Sequence, residues 1–363
     1  MKNNTPHVII GMSGGIDSSV AAMLLQEEGY NVTGLFIHLW ADSVQNSRSA
    51  INKCCSVETQ MRAKEVCDKL HIPFHTIDLS REFKKMVVDY FIQSYTEGIT
   101  PNPCIECNRS IKFGIIFDIL KQYEADYFAT GHYARIQKDT TGQYHLLQGR
   151  DKTKDQTYFL YTLTQEKLSK ILFPLGNLTK IKVKEMAKKL KIASFDDSYK
   201  ESQNLCFFPE DTPEGFLKRY LPKEYQQPGP IKTLKGEKIG QHAGLFRYTI
   251  GQRKGIEIGG QETPLYVVKM SRKDNTLYVG EEKDLYSSSC TITSPTFISG
   301  EKMKKMKNLL IKTRYTKTPT KGDITQSGKK YIIRFHEPVR AITPGQSAVF
   351  YKNKEVLGGG III

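Results

Sequence analysis

Two stretches of this chain of 363 residues carry side chains that could do chemistry. The first is Gly11-Met12-Ser13-Gly14-Gly15-Ile16-Asp17-Ser18-Ser19. Its glycines let the backbone fold tightly and aim N–H groups at an anion, and a following helix would add the partial positive charge of its N-terminus. The hydroxyls of Ser13, Ser18 and Ser19 can donate further hydrogen bonds. No Gly-Lys-Ser/Thr follows the glycines, so the loop is not a Walker A. The second is Thr100-Pro101-Asn102-Pro103-Cys104-Ile105-Glu106-Cys107-Asn108-Arg109. Two prolines stiffen it, and a helix is expected to open near Ser110. Thiols just ahead of a helix N-terminus, with Arg109 and Lys112 nearby, would be held as nucleophilic thiolates. Cys206 stands alone before Phe207 and Phe208, and on residue type it reads as core. Cys67 and Cys290 read as structural, while the Cys54-Cys55 pair stays open.

These groups need a frame to hold them. Short apolar strands at His7–Ile10, Asn31–Ile37, Phe74–Ile77 and Tyr127–Thr130 alternate with helical patterns over Ser18–Glu28, Val57–Leu70, Ser80–Thr96 and Ile111–Gln122. In Val57–Leu70 the residues Val57, Met61, Lys64 and Val66 give only a fair helical stripe. The alternation predicts an α/β domain, a doubly wound parallel sheet, over residues 1–210. The Gly-rich loop falls directly between its first strand and first helix. From 211 to 280 glycine and proline become frequent, which suggests a small mixed linking domain. Residues 281–363 show short β segments at Leu309–Arg314, Tyr331–Phe335, Gln346–Tyr351 and Val356–Ile363. Turns at Lys321-Gly322-Asp323 and Ser327-Gly328 separate them, so a C-terminal β-barrel is expected.

The net charge is +15, which suits a polyanionic partner. Between Glu301 and Arg334 eleven Lys/Arg face two acids, with Tyr315 and Tyr331 interleaved, a pattern suited to phosphate contact and base stacking. No stretch is long and apolar enough to span a membrane, and the N-terminus lacks the apolar region of a signal peptide. A cytoplasmic protein without membrane contact is the expectation. Seven cysteines in a reducing compartment point to thiol chemistry or metal ligation rather than a disulfide scaffold.

The loop matches the Ser-Gly-Gly-x-Asp-Ser signature of the PP-loop ATP pyrophosphatases. That resemblance implies an adenine nucleotide α-hydrolase-like domain that cuts ATP between its α and β phosphates. Asp17 is then the natural acid near Mg²⁺ and pyrophosphate. The loop, the Pro-x-Pro-Cys segment and Cys206 together closely resemble the tRNA-specific 2-thiouridylases (the MnmA/TrmU family). The likeness runs across nearly the whole chain, through Gly131-His132-Tyr133-Ala134-Arg135, Lys154-Asp155-Gln156-Thr157, Phe173-Pro174-Leu175-Gly176, Tyr248-Thr249-Ile250-Gly251-Gln252 and Arg340-Ala341-Ile342-Thr343-Pro344-Gly345-Gln346.

By that resemblance Gly11, Met12, Ser13, Gly14, Gly15, Ile16, Asp17, Ser18, Ile37 and Gly131 bind ATP. Cys107 is the catalytic thiol and Cys206 carries the incoming sulfur as a persulfide. Asn102, Pro103 and Cys104 face the target base. His132, Lys154, Asp155, Gln156, Arg314, Tyr315 and Gln346 touch the tRNA. A sulfur-donor protein, such as a cysteine desulfurase or a sulfur relay protein, is implied as a second partner, and the chain is expected to be a monomer. One departure stands out, since the best-known members carry Asp where this chain has Cys104. The resulting Cys-x-x-Cys opens a second route, in which Cys104, Cys107 and Cys206 hold a [4Fe–4S] cluster. Two further classes share parts of the pattern: a PP-loop ligase acting on a small metabolite, and a protein that only binds RNA.

Overall fold

The computed structural model describes residues 5–40, 42, 56–192, 195, 205–210, 212–256, 258 and 263–363. Cys54 and Cys55 lie outside the described residues, as do Glu201 to Asn204. The first sheet runs β3-β2-β1-β4-β7 and is parallel throughout, with β1 (His7–Met12), β2 (Asn31–His38), β3 (Phe74–Asp78), β4 (Tyr127–Ala129) and β7 (Ile171–Leu172). Alternate residues serve opposite faces. Val8, Ile10, Val32 and Phe36 join a core against α1 (Ile16–Glu27) and α2 (Val57–Leu70). Ile9, Leu35 and Phe128 join the core on the other face, under the helical runs 80–96 and 103–122.

Two helix expectations change. The buried face of α2 is Thr59, Ala63, Val66, Cys67 and Leu70, whereas Val57 and Met61 are 68% and 65% exposed. Of the expected stripe Val57, Met61, Lys64 and Val66, only Val66 lies on the buried face. The helix expected over Ile111–Gln122 begins at Pro103: Pro103–Glu106 runs into a π-helical stretch Cys107–Ile115 and then Ile116–Gln122. Asn102 is its N-cap, accepting the Ile105 amide at 3.3 Å, and Pro103 sits at the first position, where a missing N–H costs nothing. Pro103 therefore starts a helix, while Pro101 stays in the loop before its cap.

A hairpin, β5 (Ala134–Lys138) and β6 (Tyr144–Gln148), follows the first sheet. The linking domain carries β8 (Gly229–Thr233), β9 (Lys238–His242), β10 (Tyr266–Ser271) and β11 (Thr276–Gly280), ordered β10-β11-β8-β9 over a core of Ile231, Val267, Leu277 and Val279. The last six strands are β12 (Tyr286–Phe297), β13 (Lys305–Lys312), β14 (Thr320–Ser327), β15 (Lys330–Arg340), β16 (Ser347–Lys352) and β17 (Glu355–Ile362). Their order β12-β15-β14-β13-β16-β17 closes into a barrel through the β12–β17 pairing. The turn expected at Lys321-Gly322-Asp323 is instead strand, with Gly322 paired to Leu309 and Phe335. The turn at Ser327-Gly328 is present, Gly328 taking φ +61°.

The hairpin joins the barrel, Leu146 pairing with Val356, so a segment of the first half extends the last sheet. His145 clasps this joint, its Nδ1 2.7 Å from Glu355 and its Nε2 3.1 Å from Asp139. Hydrogen bonds to Glu355 and Asp139 raise its pKa above 6.5. A raised folded-state pKa contributes stability that is complete below the unfolded value and fades as pH climbs through the folded one. Thermal midpoints should therefore fall as pH rises above about 6.5, and His145→Gln should flatten that slope. The effect is small, because the ring is partly solvated.

Candidate active site

The phosphate loop leaves β1 and enters α1 through Ser13-Gly14-Gly15. Gly14 takes φ +70°, and a Cβ there would lie 2.2 Å from the Thr59 carbonyl oxygen of α2, so only glycine fits. The α1 N-cap is Gly15, which caps by backbone alone. Around the turn Ser18 Oγ accepts the Ser13 amide at 3.2 Å and donates to the Gly15 carbonyl at 3.1 Å. Ser19 Oγ donates to the same carbonyl at 2.9 Å. The hydroxyls thus brace the loop, and its glycine backbone can offer an anion seat.

Gly131, just past β4, closes the seat from the side. A Cβ on it would come 2.9 Å from the Asp17 carbonyl carbon and 3.0 Å from the Ser18 nitrogen. Asp17, the second residue of α1, accepts at Oδ1 from the Tyr133 phenol at 2.7 Å and from Lys180 Nζ at 2.6 Å. Tyr133 is itself fixed by Gln156, whose Oε1 accepts its amide at 3.0 Å. Neither Lys180 nor Tyr133 stood among the expected site residues, although Tyr133 lies in the Gly131–Arg135 block. A signal existed for Lys180: a lysine right after Thr179, an N-cap residue, sits at the positive end of a helix, where cations are disfavoured.

His132 links the seat to the thiols. Its Nδ1 lies 2.7 Å from Thr130 Oγ1, and its ring packs between Phe113 and Phe173 at 5.9 and 5.8 Å. Burial, aided by the nearby Lys112 cation, drives its pKa well below 6.5, so it is neutral at pH 7. Phe113 belongs to the cysteine helix. Cys104 therefore stands in the first turn of that helix, half-buried, and Cys107 one turn in, 8% exposed. Arg109, expected beside the thiols, is tied within their own helix. It pairs with Glu106 at 2.6 Å, and Lys112 acts on His132 instead.

Cys206 is half-buried at the edge of an aromatic anchor. Phe207 and Phe208 are fully buried and pack on Phe91, Phe83 and Phe216 with ring separations between 5.2 and 6.2 Å. The helix Pro213–Tyr220 supplies Phe216 and also Arg219, which pairs with Glu210 and with the fully buried Asp42 carboxylate at 2.8 Å. Cys206 thus sits directly before a packed aromatic anchor that an ionic tie joins to the chain leaving β2. Ile9, Leu35, Cys107, Phe113 and Phe207 share one apolar cluster, with Ile37 and Cys206 packed against it. Among the described residues no three His, Cys, Asp or Glu side chains form a group able to hold a metal. Cys104, Cys107 and Cys206 therefore do not make a ready ligand set for an iron–sulfur cluster. The two outlying thiols are inert: burial pushes Cys67 and Cys290 up to about 12.

The C-terminal candidates couple the barrel to this site. Gln346 Nε2 donates to the carbonyls of Thr100 and Pro101 at 2.9 and 3.1 Å. Arg314 donates to Ile250 at 2.8 Å and also to Thr343, and Tyr315 stacks near Phe159 at 4.5 Å. Asp155 is 5% exposed and accepts from Gly149, Gln148 and Thr157, while Lys154 is half-buried in the turn beside it. Gln346→Ala should speed amide exchange at Ile99, Thr100 and Asn102 and weaken thiolation. Two contacts are lost at a cost of about 1–3 kcal/mol. Unchanged exchange there would remove Gln346 from this role.

Three family models match the chain: the tRNA methyl transferase HUP domain over residues 6–210, the tRNA methyl transferase PRC-barrel domain over 214–281, and the aminomethyltransferase beta-barrel domain over 287–362. Among curated proteins it is 43% identical over 357 residues to tRNA-specific 2-thiouridylase MnmA 1 of Caldanaerobacter subterraneus subsp. tengcongensis, covering 98% of this chain and 97% of that one. It is 42% identical to tRNA-specific 2-thiouridylase MnmA of Chloroflexus aurantiacus, with 98% of each chain covered. With the MnmA protein of Streptococcus sanguinis the identity is 41% over 367 residues, covering 99% of this chain and 96% of that one.

Proposed function

This chain belongs to the tRNA-specific 2-thiouridylase family, and on that premise we propose how its residues exchange the C2 oxygen of a tRNA wobble uridine for sulfur. It is an ATP-dependent tRNA sulfurtransferase of the PP-loop class. The observation that carries the mechanism is the single apolar cluster joining the strand into the phosphate loop, the Cys107 helix and the Cys206 anchor.

Uracil C2 is a poor electrophile and its oxygen a poor leaving group, so the oxygen must be activated. It attacks the α-phosphorus of ATP, the α–β bridging bond breaks, and pyrophosphate leaves. The loop amides and the α1 N-terminus offset the phosphate charge. Asp17 would hold Mg²⁺ jointly with phosphate oxygens, because one partly exposed carboxylate matches how this ion binds nucleotides. Bound there, the ion would neutralise charge developing on the leaving pyrophosphate.

A Cys206 persulfide, loaded by a sulfur-donor protein, then attacks C2 with its terminal sulfur. The C2–O bond breaks and AMP departs with that oxygen. The Cys107 thiolate attacks Cys206 Sγ in the C2–S–S–Cys206 adduct, releasing 2-thiouridine and leaving a Cys107–Cys206 disulfide. An external thiol pair reduces that disulfide for the next turnover. Asn102, the cap of the cysteine helix, would face the base, and neutral His132, packed on Phe113, would contact the tRNA. Lys154, Arg314, Tyr315 and the basic strands β13 to β15 suit contact with the RNA backbone. This route uses Cys107 and Cys206 as thiols, and none of its steps needs an iron–sulfur cluster.

Labelled sulfur supplied through a cysteine desulfurase should appear in tRNA only when ATP is present. Label in tRNA without ATP, or ATP cleavage with a small metabolite instead of tRNA, would defeat this reading.

A further inference from the structure

We propose that Lys180 is a ligand of the ATP polyphosphate, kept in place by Asp17 until the nucleotide arrives. The inference rests on the reading that Gly11–Ser18 seats ATP. The Lys180 ammonium lies 2.6 Å from Asp17 Oδ1, at the opening turn of α1, and its side chain is only 9% exposed. A lysine of this kind has given up most of its hydration before any ligand binds, and such a site favours an anion strongly.

Its surroundings are built rather than incidental. Lys180 opens the helix Lys180–Lys189, where the macrodipole disfavours a cation. The neighbouring Ile181 is 73% exposed, so the helix turns its charged residue inward and its apolar one outward. The Thr179 hydroxyl accepts the Lys182 amide at 3.3 Å, and the Asp151 carboxylate accepts the Lys180 amide at 2.9 Å, which pins the residue at its backbone. The ammonium also lies 5.8 Å from the centre of the Tyr133 ring, whose phenol shares Asp17 Oδ1. Asp17 neutralises the lysine in this state. If Asp17 also held Mg²⁺, the ammonium would be released to offset phosphate charge beyond what the loop amides can.

The test compares binding of α,β-methylene ATP with Mg²⁺, and of adenosine, by equilibrium dialysis. For Lys180→Met the analogue should bind between about tenfold and a hundredfold more weakly, as loss of a charged hydrogen bond does, with adenosine unchanged. Lys180→Arg keeps the charge and should retain most of the preference for the analogue over adenosine, which also guards against a misfolded Met variant. A preference in Lys180→Met equal to that of the wild type overturns the proposal. A wild-type protein that itself fails to bind the analogue overturns instead the assignment of the loop.

Discussion

Replacing either Cys107 or Cys206 by serine is expected to lower tRNA thiolation by more than about a thousandfold while nucleotide affinity stays unchanged. A serine hydroxyl does not ionise near neutral pH, so it can neither carry a sulfane sulfur nor open a mixed disulfide. The two variants should fail at different stages. Cys206→Ser accepts no labelled sulfur at all. Cys107→Ser accepts it and stalls with the tRNA joined to the protein through a reducible C2–S–S–Cys206 bond. A gel that shows reductant-sensitive protein–tRNA adducts with Cys107→Ser alone would match the proposed order. Normal 2-thiouridine in either variant would end the scheme. Cys104 offers a sharper contrast, because Cys104→Asp removes that thiol, leaves Cys107 and Cys206 in place, and should retain most activity. A cluster needing that thiol would be lost in the same variant.

The second large effect is expected from Gly14→Ala. The new methyl would sit 2.2 Å from the Thr59 carbonyl, and its backbone would have to hold φ +70°. The left-handed conformation alone costs roughly 1–2 kcal/mol, and α2 must also retreat. Either response opens the seat that the loop amides form. Thiolation should fall by more than about a hundredfold, chiefly through ATP affinity. Gly29→Ala is the matched control. It pays a similar backbone cost at φ +85°, with nothing within 4 Å of the added methyl and no contact with the loop. It should lose thermal stability and keep its affinity for ATP. Equal losses of affinity in both variants would mean that Gly14 matters only for general stability.

Much of the first domain was legible because its central strand β1 is buried on both faces and carries an unbroken apolar run, Val8-Ile9-Ile10. The phosphate loop was legible because glycines and hydroxyls between a strand and a helix have few other uses. The cysteine helix was misplaced by seven residues at its start, although Asn102-Pro103 is a good cap and first position. Its π-helical middle, Cys107–Ile115, breaks the ordinary periodicity that would have revealed it. Strand β12 was missed because Tyr286-Ser287-Ser288-Ser289 reads as polar loop, and β14 because Gly322 reads as a turn although it sits between two strands. The hairpin β5–β6 joins a barrel encoded two hundred residues later, a pairing that local pattern cannot carry. Lys180 and Arg219 escaped for a related reason, since their partners Asp17 and Asp42 are remote in sequence and only tertiary packing brings them together.

The central claim is that the uridine oxygen leaves on AMP. It is tested most directly with tRNA carrying ¹⁸O at C2 of the target uridine, ATP of natural abundance and a sulfur-loaded enzyme, the products being read by mass spectrometry. The account predicts one ¹⁸O in AMP for each 2-thiouridine formed and none in pyrophosphate. Label released to water, or carried by pyrophosphate, would contradict it.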